Sequence, residues 1–358
     1  MKALIAMSGG VDSSVAAKLM KNKGYECIGC TMKLHDSVSE ALSLPDGTKT
    51  CCSVDDVADA RAVAARLDMP YYVFNFREEF EEKIIKKFVE SYSHGRTPNP
   101  CIDCNRYMKF NRLFKRAEEL GCDCVVTGHY VRVTEDENGV YHLLKAVDAS
   151  KDQSYVLYSL TQEQLKHARF PLGELTKTET RELAEKWGFV NADKPDSQDI
   201  CFVPDGDYAA VIKKYAGRDV DRPGKFVDTA GNVMGDHKGI THYTIGQRKG
   251  LGLALKAPAY VKKLDVDNNQ VVLCSDAELF ERELTASDVN WISGTAPSES
   301  VRLSAKIRYR HKEQPCTVYP TGADTIRVIF DEPQRAITPG QSVVMYDGDE
   351  VIGGGTID

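Results

Sequence analysis

The sequence predicts an α/β protein: a doubly wound parallel-sheet domain, then a small mixed central domain, then a C-terminal β-barrel. Three observations predict it. Apolar runs suited to buried strands alternate with helical stretches over the first part of the chain. After about residue 205 the texture changes to short strands separated by Gly, Pro, Asp and Asn, and from about residue 284 the chain is strand-rich to its end. A chain of 358 residues is also long for one core, so two or three domains are expected, with boundaries at 1–205, 206–283 and 284–358.

The strands of the first domain are read at 2–7, 27–34, 71–76 and 124–133. Helices fall between them. Residues 13–23 carry Val15, Ala16, Leu19 and Met20 on one helical stripe. Ser53-Val54-Asp55-Asp56 reads as the start of a helix over 57–67, and 78–92 and 105–120 follow as helices. Thr176-Lys177-Thr178-Glu179 has capping-box spacing before a helix over 181–187. Strands at 224–229, 259–265 and 270–274 build the central domain, with Asp267-Asn268-Asn269 as a hairpin turn. Strands at 301–309, 316–319, 325–330, 342–346 and 350–356 build the barrel.

Composition excludes some classes. Hydrophobic content of 42% and charged content of 28% are ordinary for a globular protein. No run of about 18 apolar residues predicts a membrane span. The first residues turn polar too quickly for a signal peptide, so a cytoplasmic location is expected. Eleven cysteines in such a chain point to reduced, catalytic or metal-binding thiols rather than a disulfide framework. A net charge of −7 neither advertises nor excludes nucleic acid, because charge can be laid out unevenly.

Leu4-Ile5-Ala6 runs into Met7-Ser8-Gly9-Gly10-Val11-Asp12-Ser13-Ser14. Two glycines let the backbone turn tightly and bring N–H groups near phosphate oxygens, and the following helix points its positive end at an anion. Asp12 would repel phosphate unless a Mg²⁺ ion lay between them. No Gly-Lys-Ser/Thr follows, so this is not the kinase-type loop.

Thr97-Pro98-Asn99-Pro100-Cys101-Ile102-Asp103-Cys104-Asn105 is the second feature. Its prolines stiffen the approach to a helix, and a cysteine at a helix N-terminus has its thiolate stabilised by the dipole. Arg106 and Lys109 add positive charge, so Cys104 is placed to be a nucleophile. Cys201, in Asp196-Ser197-Gln198-Asp199-Ile200-Cys201-Phe202-Val203, says little by itself, a buried small hydrophobe being the commoner reading of such a cysteine. Cys27 and Cys30 fall in a strand and point to opposite faces, which makes them structural. Cys51-Cys52 sits in a loop, Cys122 and Cys124 read as core, and Cys274 and Cys316 show no partner signal.

Ser8-Gly9-Gly10-Val11-Asp12-Ser13 resembles the signature of the PP-loop ATP pyrophosphatases, which split ATP into AMP and pyrophosphate to adenylate an oxygen. The loop alone does not choose among argininosuccinate, GMP and NAD synthetases and tRNA thiolases. Stretches 7–14, 95–110, 127–130, 150–154, 171–184, 196–203, 242–252 and 308–309 choose: over essentially its whole length the chain resembles the bacterial tRNA-specific 2-thiouridylases. An amidotransferase-type synthetase would leave Cys104, Cys201 and the basic C-terminal stretch unexplained.

The resemblance implies ATP-dependent adenylation of the C2 oxygen of the wobble uridine, position 34 of tRNAs of Lys, Glu and Gln type. Sulfur then comes from a persulfide on Cys201, with Cys104 as nucleophile and a Cys104–Cys201 disulfide as a possible result. A cysteine desulfurase or sulfur-relay protein donates the sulfur, and the enzyme is expected to act as a monomer. It further implies nucleotide contacts at Ala6, Met7, Ser8, Gly9, Gly10, Val11, Asp12, Ser13, Met32 and Gly128, with ATP and Mg²⁺ as cofactors. It places tRNA contacts at His129, Lys151, Asp152, Gln153, Arg308, Tyr309 and Gln341. Many relatives carry an aspartate where Cys101 stands, so its acid–base role has no bearer here, and Asp103 would point elsewhere on a helix. Cys101, Cys104 and Cys201 instead make three thiols, the arrangement that holds a [4Fe–4S] cluster with an open iron in other tRNA thiolases. The persulfide and cluster routes both stay open at this point, beside zinc or no special role for Cys101.

Two basic stretches suggest RNA. Arg106, Lys109, Arg112 and Arg116 share one helical face. Arg302, Lys306, Arg308, Arg310 and Lys312 fall on one side of a strand, with Tyr309 on the other, and read as a phosphate track. Residues 235–252, including His242 to Lys249, read equally as a mobile loop near RNA or as a compact surface turn.

Overall fold

Alternation of apolar strand and amphipathic helix yields the expected parallel sheet, seen in a computed structural model that describes residues 1–35, 54–196, 200–203, 206–216, 220 and 222–358. Cys51, Cys52 and Ser53 lie outside the described residues, as do Ser197, Gln198 and Asp199. The strands are β1 (Lys2–Ala6), β2 (Glu26–Lys33), β3 (Tyr71–Asn75), β4 (Cys124–Val126), the hairpin β5 (Val131–Glu135) and β6 (Tyr141–Lys145), and β7 (Ala168–Arg169). The first sheet runs β3-β2-β1-β4-β7, all parallel. Both its faces are covered, so successive residues enter opposite cores: Ala3, Ile5 and Cys27 pack on one side, Leu4 and Cys30 on the other. The structural reading of Cys27 and Cys30 fits this placement.

Four helices surround the nucleotide loop and the thiols: α1 (Val11–Asn22), α2 (Val54–Arg66), α3 (residues 77–93) and α4 (residues 100–119). Both α3 and α4 widen into π-turns, Glu81–Ile85 and Cys104–Arg112. The wider turn rotates side chains relative to a regular helix, which sequence spacing cannot show. Helices α5 (Gln162–His167) and α6 (Lys177–Lys186) each begin with a complete capping box, at Thr161/Gln164 and Thr176/Glu179.

One expectation fails instructively. Residues 124–133 were expected to form one strand, but the chain leaves the parallel sheet after Val126. Thr127 to Tyr130 form a link, and β5 then pairs with β6. β4 is fully buried, whereas β5 is buried only at Val131, and the Thr127-Gly128-His129 link between them is polar.

Helix α7 (Tyr208–Ala216) leads into the central sheet of β8 (Gly224–Asp228), β9 (Val233–His237), β10 (Tyr260–Asp265) and β11 (Gln270–Cys274), in the order β10-β11-β8-β9. The expected hairpin at 267–269 is present, with Asn269 at φ +49°. Within 235–252, Tyr243, Ile245 and Leu251 are buried, whereas Arg248, Lys249 and Gly250 are exposed. That segment is anchored, with a basic tip.

The barrel comprises β12 (Phe280–Trp291), β13 (Val301–Lys306), β14 (Gln314–Pro320), β15 (Ile326–Arg335), β16 (Ser342–Asp347) and β17 (Glu350–Ile357). It closes by β12 pairing with β17, which removes its edges. The β5–β6 hairpin of the first domain adds to β17 through Leu143 opposite Val351 and Leu144 opposite Glu350. A second expectation is corrected here. The strand read over 301–309 stops at Lys306, so Arg308, Tyr309, Arg310 and Lys312 sit in a turn rather than on a strand face. Arg308 sets that turn, because its guanidinium is drawn inward by acceptors named below.

The hairpin–barrel junction should respond to pH. His142 Nδ1 lies 2.6 Å from Glu350 Oε1. That hydrogen bond, helped by Asp136, raises the imidazole pKa against burial. A raised folded pKa contributes stability that is full below the ordinary histidine value and is lost as pH rises through the raised one. Amide exchange in β6 is therefore expected to quicken from mildly acidic to mildly alkaline pH beyond its intrinsic trend, and a His142→Gln chain should lose that excess.

Candidate active site

The loop between β1 and α1 is held open by backbone contacts that require glycine. Gly9 adopts φ +77°, and a Cβ there would lie 2.3 Å from the Asp56 carbonyl oxygen. Gly128, at the end of β4, sits so close to α1 that a Cβ would be 2.9 Å from Ser13 N. Side chains fix the rest. Ser13 Oγ accepts from Ser8 N at 3.2 Å and donates to Gly10 O at 3.1 Å. Ser14 Oγ donates to Gly10 O at 3.1 Å, and Asn191 Nδ2 donates to Gly9 O at 2.9 Å and Ser14 Oγ at 3.0 Å. The result is a rigid turn at the positive end of a 12-residue helix, with Ser8 exposed at its mouth.

Asp12 faces this turn. Its Oδ1 accepts from Tyr130 OH at 2.8 Å and Lys177 Nζ at 2.6 Å. Among the described residues Oδ2 accepts no hydrogen bond, and the side chain is 31% exposed. One oxygen is thus available, which suits a divalent cation shared with phosphate. Lys177 also reaches Asp196 Oδ1 at 2.7 Å, and Asp196 takes Lys151 at 2.8 Å and Arg181 at 3.0 Å. Burial alone would raise the Asp196 pKa, but hydrogen bonds from Lys151 and Lys177 outweigh it and hold it at about 2.

The approach to the cysteines is gripped by the barrel. Thr97 N donates to Pro339 O at 2.8 Å, and Gln341 Nε2 donates to Thr97 O at 2.7 Å. Asn99 caps α4 by accepting from Cys101 N at 3.2 Å, with Pro100 in the first turn. Cys101 is exposed, while Cys104 and Cys201 are half-buried. Cys104, Cys201, Ala6 and Met32 all pack against one core, formed by Leu4, Cys30, Phe76, Phe88 and Phe202 among others. The structure therefore gathers the strand end before the loop, the end of β2 and both half-buried thiols around a single cluster.

Cys101 does not join that group. It lies near Tyr309, whose hydroxyl is pushed up by burial, then by Asp152 and Cys101. Among the described residues, which include all three thiols, no three Cys, His, Asp or Glu side chains converge as a metal site. Asp103 does not replace the missing aspartate either: it is buried and paired with Lys87 at 2.8 Å, and burial raises its pKa. Cys122, Cys124, Cys274 and Cys316 are buried, and burial pushes their thiols up, Cys124 to about 11.

The residues matched to RNA mostly hold the chain together. His129 is buried, with Nδ1 2.7 Å from Thr127 Oγ1 and Nε2 3.4 Å from Lys109 Nζ; burial drives its pKa well down. Lys151 pairs with Asp196. Asp152 accepts from Ala146 N, Ser154 N and Ser154 Oγ at 3.1, 3.2 and 2.7 Å. Gln153 Oε1 accepts from Tyr130 N at 3.0 Å. One Arg308 nitrogen donates to Ile245 O, Ala336 O and Thr338 Oγ1 at 3.2, 2.9 and 2.6 Å, tying the central domain to the barrel. Tyr309 stays 40% exposed, and its OH donates to Asp152 O at 3.3 Å.

The two basic tracks are largely neutralised. Arg106 pairs with Asp288 at 2.5 Å, Arg112 with Glu79 at 2.6 Å, and Arg116 with Glu119. Arg302 pairs with Asp331, and Lys306 lies between Asp152 at 3.8 Å and Glu313 at 3.6 Å. A carboxylate thus lies beside Arg106, Arg112, Arg116, Arg302 and Lys306, whereas Lys109 lies 3.4 Å from His129 Nε2. Arg310 and Lys312 on the barrel turn, and Arg248 and Lys249 on the central tip, remain exposed.

Sequence reasoning missed Lys177, Tyr130 and Asn191. Lys177 carried a readable signal: a lysine at the first position of a capped helix opposes the dipole, which suggests that it serves an anion. Tyr130 and Asn191 carried none, since their partners Asp12 and Gly9 are 118 and 182 residues away.

Comparison with known proteins adds the following. Residues 1–205 match the family described as tRNA methyl transferase HUP domain, 210–275 the tRNA methyl transferase PRC-barrel domain, and 281–357 the aminomethyltransferase beta-barrel domain. The tRNA-specific 2-thiouridylase MnmA of Clostridioides difficile is 51% identical over 100% of this chain and 98% of its own. That of Carboxydothermus hydrogenoformans is 53% identical over 100% of this chain and 97% of its own.

Proposed function

This chain belongs to the tRNA-specific 2-thiouridylase family and is an ATP-dependent tRNA sulfurtransferase, and we propose that it works through a persulfide on Cys201 with Cys104 as the second thiol. The observation that carries this reading is the shared core against which Ala6, Met32, Cys104 and Cys201 pack. The wobble-uridine C2 oxygen attacks the α-phosphorus of ATP, the α–β bond breaks and pyrophosphate leaves. N–H groups at the head of α1, with Ser8 and Ser13, cradle the phosphates, while Met32 and Gly128 border the nucleotide. Asp12 would hold Mg²⁺, which neutralises charge on the departing pyrophosphate.

A cysteine desulfurase or a sulfur-relay protein leaves the outer sulfur on Cys201. That sulfur attacks C2, the C2–O bond breaks and AMP departs, because adenylation has turned a poor leaving group into a good one. The Cys104 thiolate then attacks Cys201 Sγ. The persulfide S–S bond breaks, its electron pair stays on the sulfur bound to C2, and 2-thiouridine is released. A Cys104–Cys201 disulfide remains, which a thiol reductant restores. The substrates are tRNAs of Lys, Glu and Gln type. Lys151 to Gln153, His129, Tyr309 and Gln341 border the RNA, and exposed Arg248, Lys249, Arg310 and Lys312 meet its phosphates.

Incubation with ATP, a sulfur donor and unmodified tRNA should yield 2-thiouridine and AMP in equal amounts, with none formed without ATP. Tight tRNA binding with no 2-thiouridine under those conditions would contradict the proposal.

A further inference from the structure

The two residues that follow Cys104 are both tied to parts of the chain remote in sequence. Asn105 is 1% exposed, and its Nδ2 donates to Val156 O at 2.9 Å, in the 3₁₀ turn Ser154–Leu157. Arg106 Nη1 donates to Asp288 Oδ2 at 2.5 Å, and Asp288 belongs to β12 of the barrel. Both residues lie in the π-turn Cys104–Arg112, a rare conformation that recurs at functional sites.

The barrel end of the second tether is a built feature. Asp288 adopts φ +51°, a left-handed conformation that most side chains avoid and that Asp and Asn tolerate. It sits where β12 slips register against β17, between the pairs Ser287–Thr356 and Asn290–Gly354. Such a bulge bends a strand and re-aims its side chains. This one is pinned on its far side. Val289 N donates to Asp324 O at 3.0 Å, and Asn290 Nδ2 donates to Tyr158 O at 2.7 Å and Leu160 O at 3.0 Å. Gly355 makes room for it, since a Cβ there would lie 2.8 Å from Val289 Cγ2. Residues 156–160 therefore receive Asn105 from the cysteine helix and Asn290 from the bulge, so helix and bulge rest on one support. As a stabilising contact the ion pair counts for little, because its side chains are 31% and 50% exposed. A strained residue aimed at a weak pair fits a role in geometry better than one in stability.

Resting on the reading that Cys104 attacks Cys201 Sγ, we propose that Asp288 is a positioning residue for that attack. Through Arg106 it fixes the turn that carries Cys104, and so the approach of the Cys104 thiolate to its partner. The barrel then serves sulfur transfer as well as RNA contact.

The test needs no ATP, tRNA or sulfur donor. The full chain is equilibrated in glutathione redox buffers and the Cys104–Cys201 disulfide is quantified by peptide mass. Its yield gives the effective concentration of one thiol at the other. Asp288→Asn keeps the size and the left-handed backbone but loses the charge. It should lower that effective concentration by about tenfold or more, because small misplacements of reacting groups are costly. Cys104 alkylation by iodoacetamide should not slow in this variant, since releasing Arg106 leaves more positive charge near the thiol. Undiminished reactivity with poorer pairing is the mark of misplacement, and lost stability alone would not produce it. Arg106→Met should impair pairing to a similar degree, Arg106→Lys should retain part of it, and Asp288→Asn with Arg106→Met should lose no more than either alone. The Arg106 variants decide the matter if Asp288→Asn shows no cooperative thermal transition. Unchanged pairing in a folded Asp288→Asn, a parallel fall in its alkylation rate, or additive losses in the double variant would each overturn the proposal and leave the thiol reading standing. An unaltered chain that forms no Cys104–Cys201 disulfide in any buffer would overturn both.

Discussion

A Cys201→Ser chain is expected to make no detectable 2-thiouridine, a loss of at least about a thousandfold, because a hydroxyl cannot carry the outer sulfur. Pyrophosphate release should survive, since adenylation involves the loop and not the thiol. Cys201 is only half-buried at the rim of its core, so serine there should leave folding nearly intact. Cys104→Ser should fail differently. Sulfur reaches C2 but stays linked to Cys201, so a reductant-sensitive tRNA–protein adduct should accumulate. Gel shift of labelled tRNA with and without dithiothreitol separates the two outcomes. Equal loss of pyrophosphate release in both variants would mean that the thiols act on adenylation.

Gly9→Ala is expected to abolish ATP binding and destabilise the chain by about 2–4 kcal/mol. Roughly 1 kcal/mol comes from a Cβ in the left-handed region and the rest from overpacking. The local geometry leaves no relief, because the new methyl would sit 2.3 Å from Asp56 O and 2.7 Å from Asp56 Cα, both backbone atoms. Gly121 is the control. It has φ +67°, but a Cβ there meets nothing within 4 Å, so Gly121→Ala should cost only about 1 kcal/mol and leave ATP binding alone. Thermal denaturation with and without ATP measures both effects. A Gly9→Ala chain that still gains stability from ATP would contradict the loop's assigned role.

Local chemistry was legible in the sequence. The loop, the capping box at Thr176 and Glu179, the strands near 2–7, 27–34 and 71–76, and the opposed faces of Cys27 and Cys30 all follow from spacing within a few residues. What was not legible depends on long-range pairing. The turn that ends β13 at Lys306 exists because Arg308 finds acceptors at Ile245, Ala336 and Thr338, up to 63 residues away. The neutralised basic tracks depend on carboxylates such as Asp288, 182 residues from Arg106. The break after Val126 follows from pairing, since β5 joins β6 and not the parallel sheet of β4. Cys101-x-x-Cys104 suggested a cluster from spacing alone, and spacing could not show that Cys101 is exposed while Cys104 and Cys201 are half-buried against one core.

The most direct measurement is a single turnover. The chain is loaded with persulfide, freed of donor, and mixed with ATP and unmodified tRNA. Persulfide on Cys201, followed by mass, should disappear in step with the appearance of 2-thiouridine and AMP in equimolar amounts, leaving a Cys104–Cys201 disulfide. Formation of 2-thiouridine while the Cys201 persulfide remains intact would contradict the account.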